Sequence, residues 1–169
     1  PEFTHKEEHK TVLEAFEDID TDCENHTYMN QQPSTTLKLE AIPEGGNFKD
    51  LPEHLAVKGL MSNIYRKLDR NKPAYTVIAS GGGGTWTYHY EEPRALTNRE
   101  RARLQGFPDD LKFKGSNTEI RRQIGNAVPA VGIHPFAERI QNVLDGITPN
   151  RTNNCIKEYN VETRKFIDC

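Results

Sequence analysis

Four consecutive glycines, Gly81 to Gly84, constrain the fold of this chain more than any other feature of its sequence. Glycine has no Cβ atom and interrupts regular structure, so neither a helix nor a strand is expected to continue through the run. Residues 72–79 before the run are rich in β-prone side chains, and residues 85–90 after it alternate threonine or histidine with aromatic residues. These patterns predict two strands joined by a glycine loop.

Capping-box spacing predicts where two helices begin. Thr11 precedes Glu14 by three positions and Thr97 precedes Glu100 by three positions, in each case ahead of apolar residues. The second of these helices is expected to end near Gly106. Apolar residues at helical spacing between 131 and 144 predict a longer final helix. The mixed polar, proline and glycine composition of residues 20–55 predicts loops and short strands.

Charge is distributed unevenly along the 169 residues, a length that allows one domain or two small ones. The formal net charge is -3, but residues 1–60 carry a net charge of -8 and residues 61–122 a net charge of +5. The basic middle segment predicts contact with a phosphate-bearing partner. The alternative is that these charges form a solvated face, which is the commoner use of a charged stretch.

Several common classes of protein and site are disfavoured by the sequence. It contains no apolar stretch long enough to span a membrane and no secretory signal, so a soluble cytoplasmic protein is expected. Its three cysteines fit neither a disulfide framework nor a zinc site, and no metal is expected. Asp22 and Glu24 flank Cys23 and are expected to raise the pKa of its thiol, which argues against an activated nucleophile. No Gly-Lys-Ser/Thr follows the glycine run, so a nucleotide-triphosphate loop is not predicted.

Two segments carry a far more specific signal than the glycine run. The first, RALTNRERARLQGFPD, extends from Arg94 to Asp109, and the second, QIGNAVP, extends from Gln123 to Pro129. In order and spacing they resemble the last two conserved motifs of the bacterial DNA (cytosine-5)-methyltransferases. Upstream, Thr76-Val77 and the glycine run are similar to the threonine-aliphatic pair and the glycine-bearing loop of that family's target-recognition domain. The resemblance extends from about residue 47 to residue 146.

The resemblance implies a reaction, a cofactor and a set of site residues. The family transfers a methyl group from S-adenosylmethionine to carbon 5 of a cytosine flipped out of double-stranded DNA. By resemblance, the loop from Gly125 to Pro129 lines the cofactor pocket; the alternative is that this loop only leads into the final helix. The implied cofactor contacts are Asn126, Ala127 and Val128. The implied DNA contacts are Arg66, Arg70, Thr76, Gly81, Gly82 and Gly83. The implied structural residues are Thr97, Glu100 and Arg103.

The chemistry of the residue types gives each implied DNA contact a specific form. Thr76 would donate a hydrogen bond to a phosphate, and the guanidinium groups of Arg66 and Arg70 are able to pair with the two acceptors on guanine. For both arginines, phosphate contact or simple solvent exposure remains an open alternative. For the glycine loop, the alternative is a flexible hairpin connection.

The chain departs from the family pattern in two respects. The Pro-Cys pair that holds the family's nucleophile is missing, as are the motifs that normally precede the recognition domain. The sequence therefore predicts the C-terminal part of such an enzyme, inactive alone and acting with double-stranded DNA and a catalytic domain or subunit. The predicted fold is α+β: a small, mainly β target-recognition domain followed by helices that pack on a Rossmann-like catalytic domain outside this chain.

The predicted organisation has three parts. Residues 1–93 form the recognition region, residues 94–146 the helical conserved motifs, and residues 147–169 a polar tail. Two alternatives remain open at this point: a non-catalytic DNA-binding or specificity module, and the second subunit of a naturally split methyltransferase.

Overall fold

A computed structural model of the chain describes residues 9–58, 63–80 and 85–147, together with the backbones of residues 158–160 and 165–167. The described residues up to Gly132 belong to one compact unit, and those from Ile133 onward belong to a second. The helices of the described chain are α1 (Val12–Phe16), α2 (Pro33–Ala41), α3 (Asn98–Leu104), α4 (Asn117–Asn126) and α5 (Ala130–Leu144), and two short 3-10 turns span Phe48–Asp50 and Glu53–Leu55.

The helices predicted from local sequence signals are confirmed. Thr11 begins α1 and Thr97 begins α3, and in each case the threonine hydroxyl accepts a hydrogen bond from the backbone N–H three residues later. The carboxylates of Glu14 and Glu100 return the contact, each accepting from the threonine N–H at 2.7 Å. These reciprocal bonds satisfy donors that a helix N-terminus otherwise leaves unpaired. The predicted final helix is α5, which ends at Leu144.

The prediction of a mainly β recognition domain is wrong. Residues 9–58, 63–80 and 85–147 contain helices, turns and coil but no strand, so neither 72–79 nor 85–90 forms one. Tyr88 makes only isolated bridges, to Lys67 and to Ala95. The physical reason is that β propensity reflects how well side chains fit a paired, half-buried surface, and these segments lack neighbours aligned over several residues. The strands in the described chain are β1 (Glu158–Asn160) and β2 (Lys165–Ile167), an antiparallel pair in the region predicted as tail.

The sequence patterns missed α2 and predicted α4 only as part of the helical region 94–146. α2 lies in the segment predicted as loop and short strand, and it starts with Pro33, whose fixed φ suits the first helical position. α4 starts after Ser116, whose side chain caps Glu119 N–H, and it buries Ile120 and Ile124 on one face. Because α4 continues to Asn126, the cofactor-motif residues 125 and 126 belong to the end of a helix and not to a loop as predicted.

The core consists of two small apolar clusters that share contacts with α3. One cluster contains Val77, Ala102, Ile120 and Ile124, and the other contains Val12, Leu68 and Leu96. α3 packs against both α1 and α4. Burial of each large aliphatic side chain contributes about 1.5–3 kcal/mol, so these clusters are what fixes the segment around Val77 against α3 and α4.

Candidate functional site

Thr76 and Ala127 line one cleft, which has a volume of about 490 Å³ and is called here the Thr76 cleft. Lys10 and Arg103 contribute positive charge to its lining, and Gly125 contributes backbone surface. The fold therefore brings the predicted DNA-contacting threonine and part of the predicted cofactor loop to the same place, although 51 positions separate them in the sequence.

Gly125 permits this arrangement because the main chain of residues 78 and 79 lies directly against it. A Cβ atom at position 125 would lie 2.6 Å from the carbonyl carbon of Ile78 and closer still to Ala79. Such distances fall far inside van der Waals contact, so any side chain would push the two segments apart. The glycine of the second motif is thus required for the close approach of α4 to the segment that follows Thr76.

The two conserved motifs are also joined by a side chain. The Gln105 amide donates hydrogen bonds to the carbonyl oxygens of Ile124 at 3.0 Å and Ala127 at 3.1 Å. These carbonyls lie at the C-terminal end of α4, where intrahelical donors run out. Gln105, from the first motif, therefore holds the end of the second motif in place.

The predicted cofactor residues present a free polar group and an apolar surface. Asn126 is exposed, and its side chain makes no hydrogen bond to the described part of the chain. Ala127 is half-buried at the C-cap of α4, and Val128 is 66% exposed. An unengaged amide can donate and accept, and an exposed valine can pack on a ring. An amide and an apolar side chain together suit the polar groups and the adenine ring of S-adenosylmethionine.

The two predicted base-reading arginines are held differently. The Arg66 guanidinium carbon lies 3.4 Å from the centre of the Tyr75 ring, and Arg66 Nε is buried with no partner among the described residues. Arg70 Nε donates to the Glu44 carboxylate at 3.0 and 3.1 Å, and the hydrogen bond to Glu44 raises the Arg70 pKa. Arg70 is therefore already paired, whereas Arg66 retains unused donor capacity.

The remaining predicted DNA contacts are Thr76, which is exposed, and Gly81, Gly82 and Gly83, which lie outside the described residues.

The predicted structural residues make the caps and ion pairs expected of them. Arg94 donates to both carboxylate oxygens of Glu100, at 2.7 and 2.9 Å. Burial would lower the Arg94 pKa, but hydrogen bonds to carboxylates raise it above its ordinary value. Arg103 pairs with Asp109 and also donates to carbonyl oxygens of Ala15, Glu17 and Asp18.

Residues 1–142 match the sequence profile of the C-5 cytosine-specific DNA methylases. The chain belongs to this family. It is 51% identical over 149 residues to the type II methyltransferase M.NgoFVII of Neisseria gonorrhoeae and 49% identical over 145 residues to M.BbvI of Brevibacillus brevis. Each match covers 83% of this chain but only 40% and 39% of those proteins, so the chain spans about two fifths of their length. The family predicted from the two motifs is confirmed.

A solved structure supports the fold of this methylase-family chain. It is an E. coli protein described as a DNA modification methyltransferase encoded within a prophage. The match covers 70% of this chain and 29% of that protein, with a TM-score of 0.52 and 24% sequence identity. At this identity the likeness concerns the fold alone.

Sequence reasoning missed three buried arginines in this methylase-family chain, Arg99, Arg101 and Arg121. Arg101 is 1% exposed and Arg121 is 6% exposed, and their guanidinium carbons lie 5.7 and 3.7 Å from the Trp86 ring. Burial, with a contribution from Arg121, lowers the Arg101 pKa to about 10. Arginine is almost never fully buried without a partner, so arginines are expected at the surface. Nothing in the local sequence marks these positions as exceptions.

The thiol pKa predicted for Cys23 has the right direction but a different main cause. The pKa is raised, as expected, yet burial is the largest contribution and the charges of Asp109 and Asp20 are secondary. The described residues contain no group of three or more His, Cys, Asp or Glu able to hold a metal ion. None of the helices in the described ranges is long and apolar enough to cross a membrane.

Proposed function

We propose that this chain is the DNA-recognition and cofactor-pocket-completing C-terminal portion of a DNA (cytosine-5)-methyltransferase of the restriction–modification type. The observation that carries the proposal is the Thr76 cleft, where the recognition threonine and the second conserved motif meet. Double-stranded DNA is the proposed substrate, and the net charge of +5 on residues 61–122 would attract its phosphates. Thr76 and Arg66 are the DNA contacts best placed for this role, because neither is already paired with an acid.

S-adenosylmethionine is the proposed cofactor and supplies the methyl group when bound. Asn126 would hydrogen-bond its polar groups, and Val128 would cover apolar surface. Gln105 acts as a positioning residue, since it holds the Ala127 carbonyl and so fixes the places of Asn126 at the end of α4 and of Val128 just beyond it.

We propose that methyl transfer requires a catalytic domain of the same enzyme or a separate catalytic subunit. The family's nucleophile is a cysteine after a proline, whereas here aspartate or asparagine precedes each cysteine. The helix α5 offers a surface to such a partner, because many of its apolar side chains are exposed. These exposed side chains are Val131, Ile133, Phe136, Ile140, Val143 and Leu144.

Reconstitution tests the proposal directly. This chain, the upstream catalytic region of a relative and their mixture would each be assayed for transfer of labelled methyl groups to cytosines in double-stranded DNA. We expect transfer only from the mixture. A mixture that assembles and binds DNA yet transfers nothing would refute the proposed reaction, and transfer by this chain alone would refute its dependence on a partner.

Two substitutions separate the cofactor and DNA roles in the reconstituted enzyme. Asn126→Ala is expected to weaken cofactor binding about tenfold, the value of one good hydrogen bond, while DNA affinity stays unchanged. Thr76→Val keeps the side-chain shape and is expected to weaken DNA binding about fivefold while sparing the cofactor. Ser34→Ala removes an exposed hydroxyl on α2, away from both the Thr76 cleft and α5, and serves as the control. Equal losses of both ligands in either variant would indicate a folding effect instead.

A further inference from the structure

A second cleft, with a volume of about 410 Å³, plays no part in the function proposed above. It is called here the Trp86 cleft. Its described lining comprises three aromatic residues, three amide side chains and three others: Tyr65, Trp86, Tyr88, Asn30, Gln31, Gln32, Met29, Thr35 and Ala95. The volume falls in the range of small-ligand sites, and the lining combines flat apolar surface with hydrogen-bonding groups.

The aromatic residues of the Trp86 cleft are held in place by ring contacts and by a cation. The rings of Tyr65 and Tyr88 stack with centroids 6.0 Å apart and planes 27° apart, and Tyr88 is buried. The Arg121 guanidinium lies against the Trp86 ring at 3.7 Å. A cation over an indole face is an attractive contact that restricts the ring, so Trp86 offers a fixed surface for stacking.

The same region carries positive charge that the described chain does not neutralise. Arg101 and Arg121 form no ion pair with the residues that the structure describes, and two guanidinium nitrogens of each are buried without a hydrogen-bond partner. Lys38 Nζ lies 5.7 Å from the centre of the ring of Tyr65, which lines the cleft. Uncompensated cations in a low-dielectric setting attract an anionic ligand.

The amides provide the means to recognise the edge of a flat ligand. Gln31 Nε2 donates to Thr36 Oγ1 and to the Pro93 carbonyl, whereas Gln31 Oε1 is buried and has no hydrogen-bond partner among the described residues. Asn30 and Gln32 are exposed, and within the described ranges their side chains make no hydrogen bonds. The Asn30 and Gln32 amides therefore each present an acceptor next to free donors, the pattern that pairs with the edge of a nucleobase.

We propose that the Trp86 cleft binds a single unstacked nucleobase, which stacks on Trp86 and hydrogen-bonds to the amides of Asn30 and Gln32. The inference rests on the proposed DNA-binding role, and it adds a base-holding site on the recognition region itself. Proteins that hold an extruded base use this combination of aromatic stacking and edge hydrogen bonds. The positive charge near Trp86 favours a base that arrives with its phosphate.

Trp86 is the single tryptophan of the chain, so its fluorescence reports on the cleft directly. The full chain would be titrated with a paired duplex, the same duplex carrying one extrahelical adenine, the same duplex with an abasic residue at that position, and deoxyadenosine monophosphate. We expect the extrahelical adenine to quench the fluorescence and to bind at least about fivefold more tightly than the abasic control. Equal quenching by the mononucleotide would support a nucleobase site that accepts free nucleotides as well as a strand.

Variants show whether the cleft itself is responsible, with affinities measured by anisotropy of labelled DNA. Trp86→Leu is expected to abolish the preference for the extrahelical adenine, and Trp86→Phe, which keeps a ring, to retain most of it. Tyr28→Leu removes an exposed aromatic residue outside the lining and is the matched control. If Trp86→Leu loses its circular-dichroism signature, Gln32→Ala, which keeps the fluorescent probe, replaces it and is expected to reduce the preference severalfold.

Equal affinity for the extrahelical and abasic duplexes, with unchanged tryptophan fluorescence, would overturn the inference. Binding of the paired duplex in that case would leave the proposed DNA role standing. Failure of methyl transfer in the reconstituted enzyme would contradict the proposed reaction without altering the fluorescence result.

Discussion

Replacement of Gly125 by alanine tests the close approach that joins the second motif to the segment after Thr76. The new Cβ atom would lie 2.6 Å from the Ile78 carbonyl carbon, about 1 Å inside normal contact, and the obstacle is main chain that cannot rotate away. Relief therefore requires residues 78 and 79 to shift by about 1 Å. Val77, next to them, belongs to the cluster around Ala102 and Ile124, so the shift also disturbs the core.

Overpacking of this kind typically costs 1–3 kcal/mol, and we expect Gly125→Ala to lower the free energy of unfolding by about 3 kcal/mol because the clash is with backbone. For a chain of this length the melting temperature would fall by about 10 °C. Urea denaturation followed by circular dichroism gives the free energy, and a thermal scan gives the midpoint.

Gly132→Ala is the matched control, since its new Cβ would meet only Pro129 Cβ at 3.8 Å. Position 132 lies within α5, where alanine has the higher helix propensity, so this variant is expected to be neutral or more stable by about 0.5–1 kcal/mol. A loss below about 0.5 kcal/mol for Gly125→Ala, or equal losses at both positions, would refute the close approach of α4 to residues 78 and 79.

Three further predictions follow from burial and charge. Glu100→Gln removes the main counter-ion of Arg94 and is expected to cost about 3 kcal/mol in urea denaturation; a cost below about 1 kcal/mol would show that the pair contributes little. Burial lowers the pKa of His89 below 6.5, so on acidification the unfolded chain takes up a proton at a higher pH than the folded chain does. The free energy of unfolding therefore falls as the pH drops below about 6.5. His89→Asn keeps an acceptor and should flatten that slope between pH 7.5 and 5; an unchanged slope would assign it to other groups. The Ile140 side chain is 62% exposed, so Ile140→Gln should alter the free energy of unfolding by less than about 0.5 kcal/mol. It should nevertheless weaken assembly with the catalytic region, measured by a pull-down. Unchanged assembly would exclude this face of α5 as the binding surface for that region.

Helix α3 was predictable from sequence, whereas the conformation of residues 72–79 and 85–90 was not. The start of α3 depends on Thr97 and Glu100, three positions apart, so neighbouring residues contain all the information. Residues 72–79 and 85–90 have strand-like composition, but a strand also needs a partner aligned over several residues. The partners of Tyr88 are short segments near Lys67 and Ala95, and each offers a single bridge.

In the candidate site, too, some features depend on neighbouring residues and others on the packing of distant segments. The sequence alone was sufficient to identify the family and the caps of α1 and α3, because each depends on residues close together in the chain. The cofactor role of Asn126 to Val128 remains a prediction from the same local motif. The clefts around Thr76 and Trp86, the pairing of Arg70 with Glu44 and the burial of Arg101 were decided only by the tertiary structure. These features arise where distant segments pack against one another, and local spacing contains no record of which segments those are.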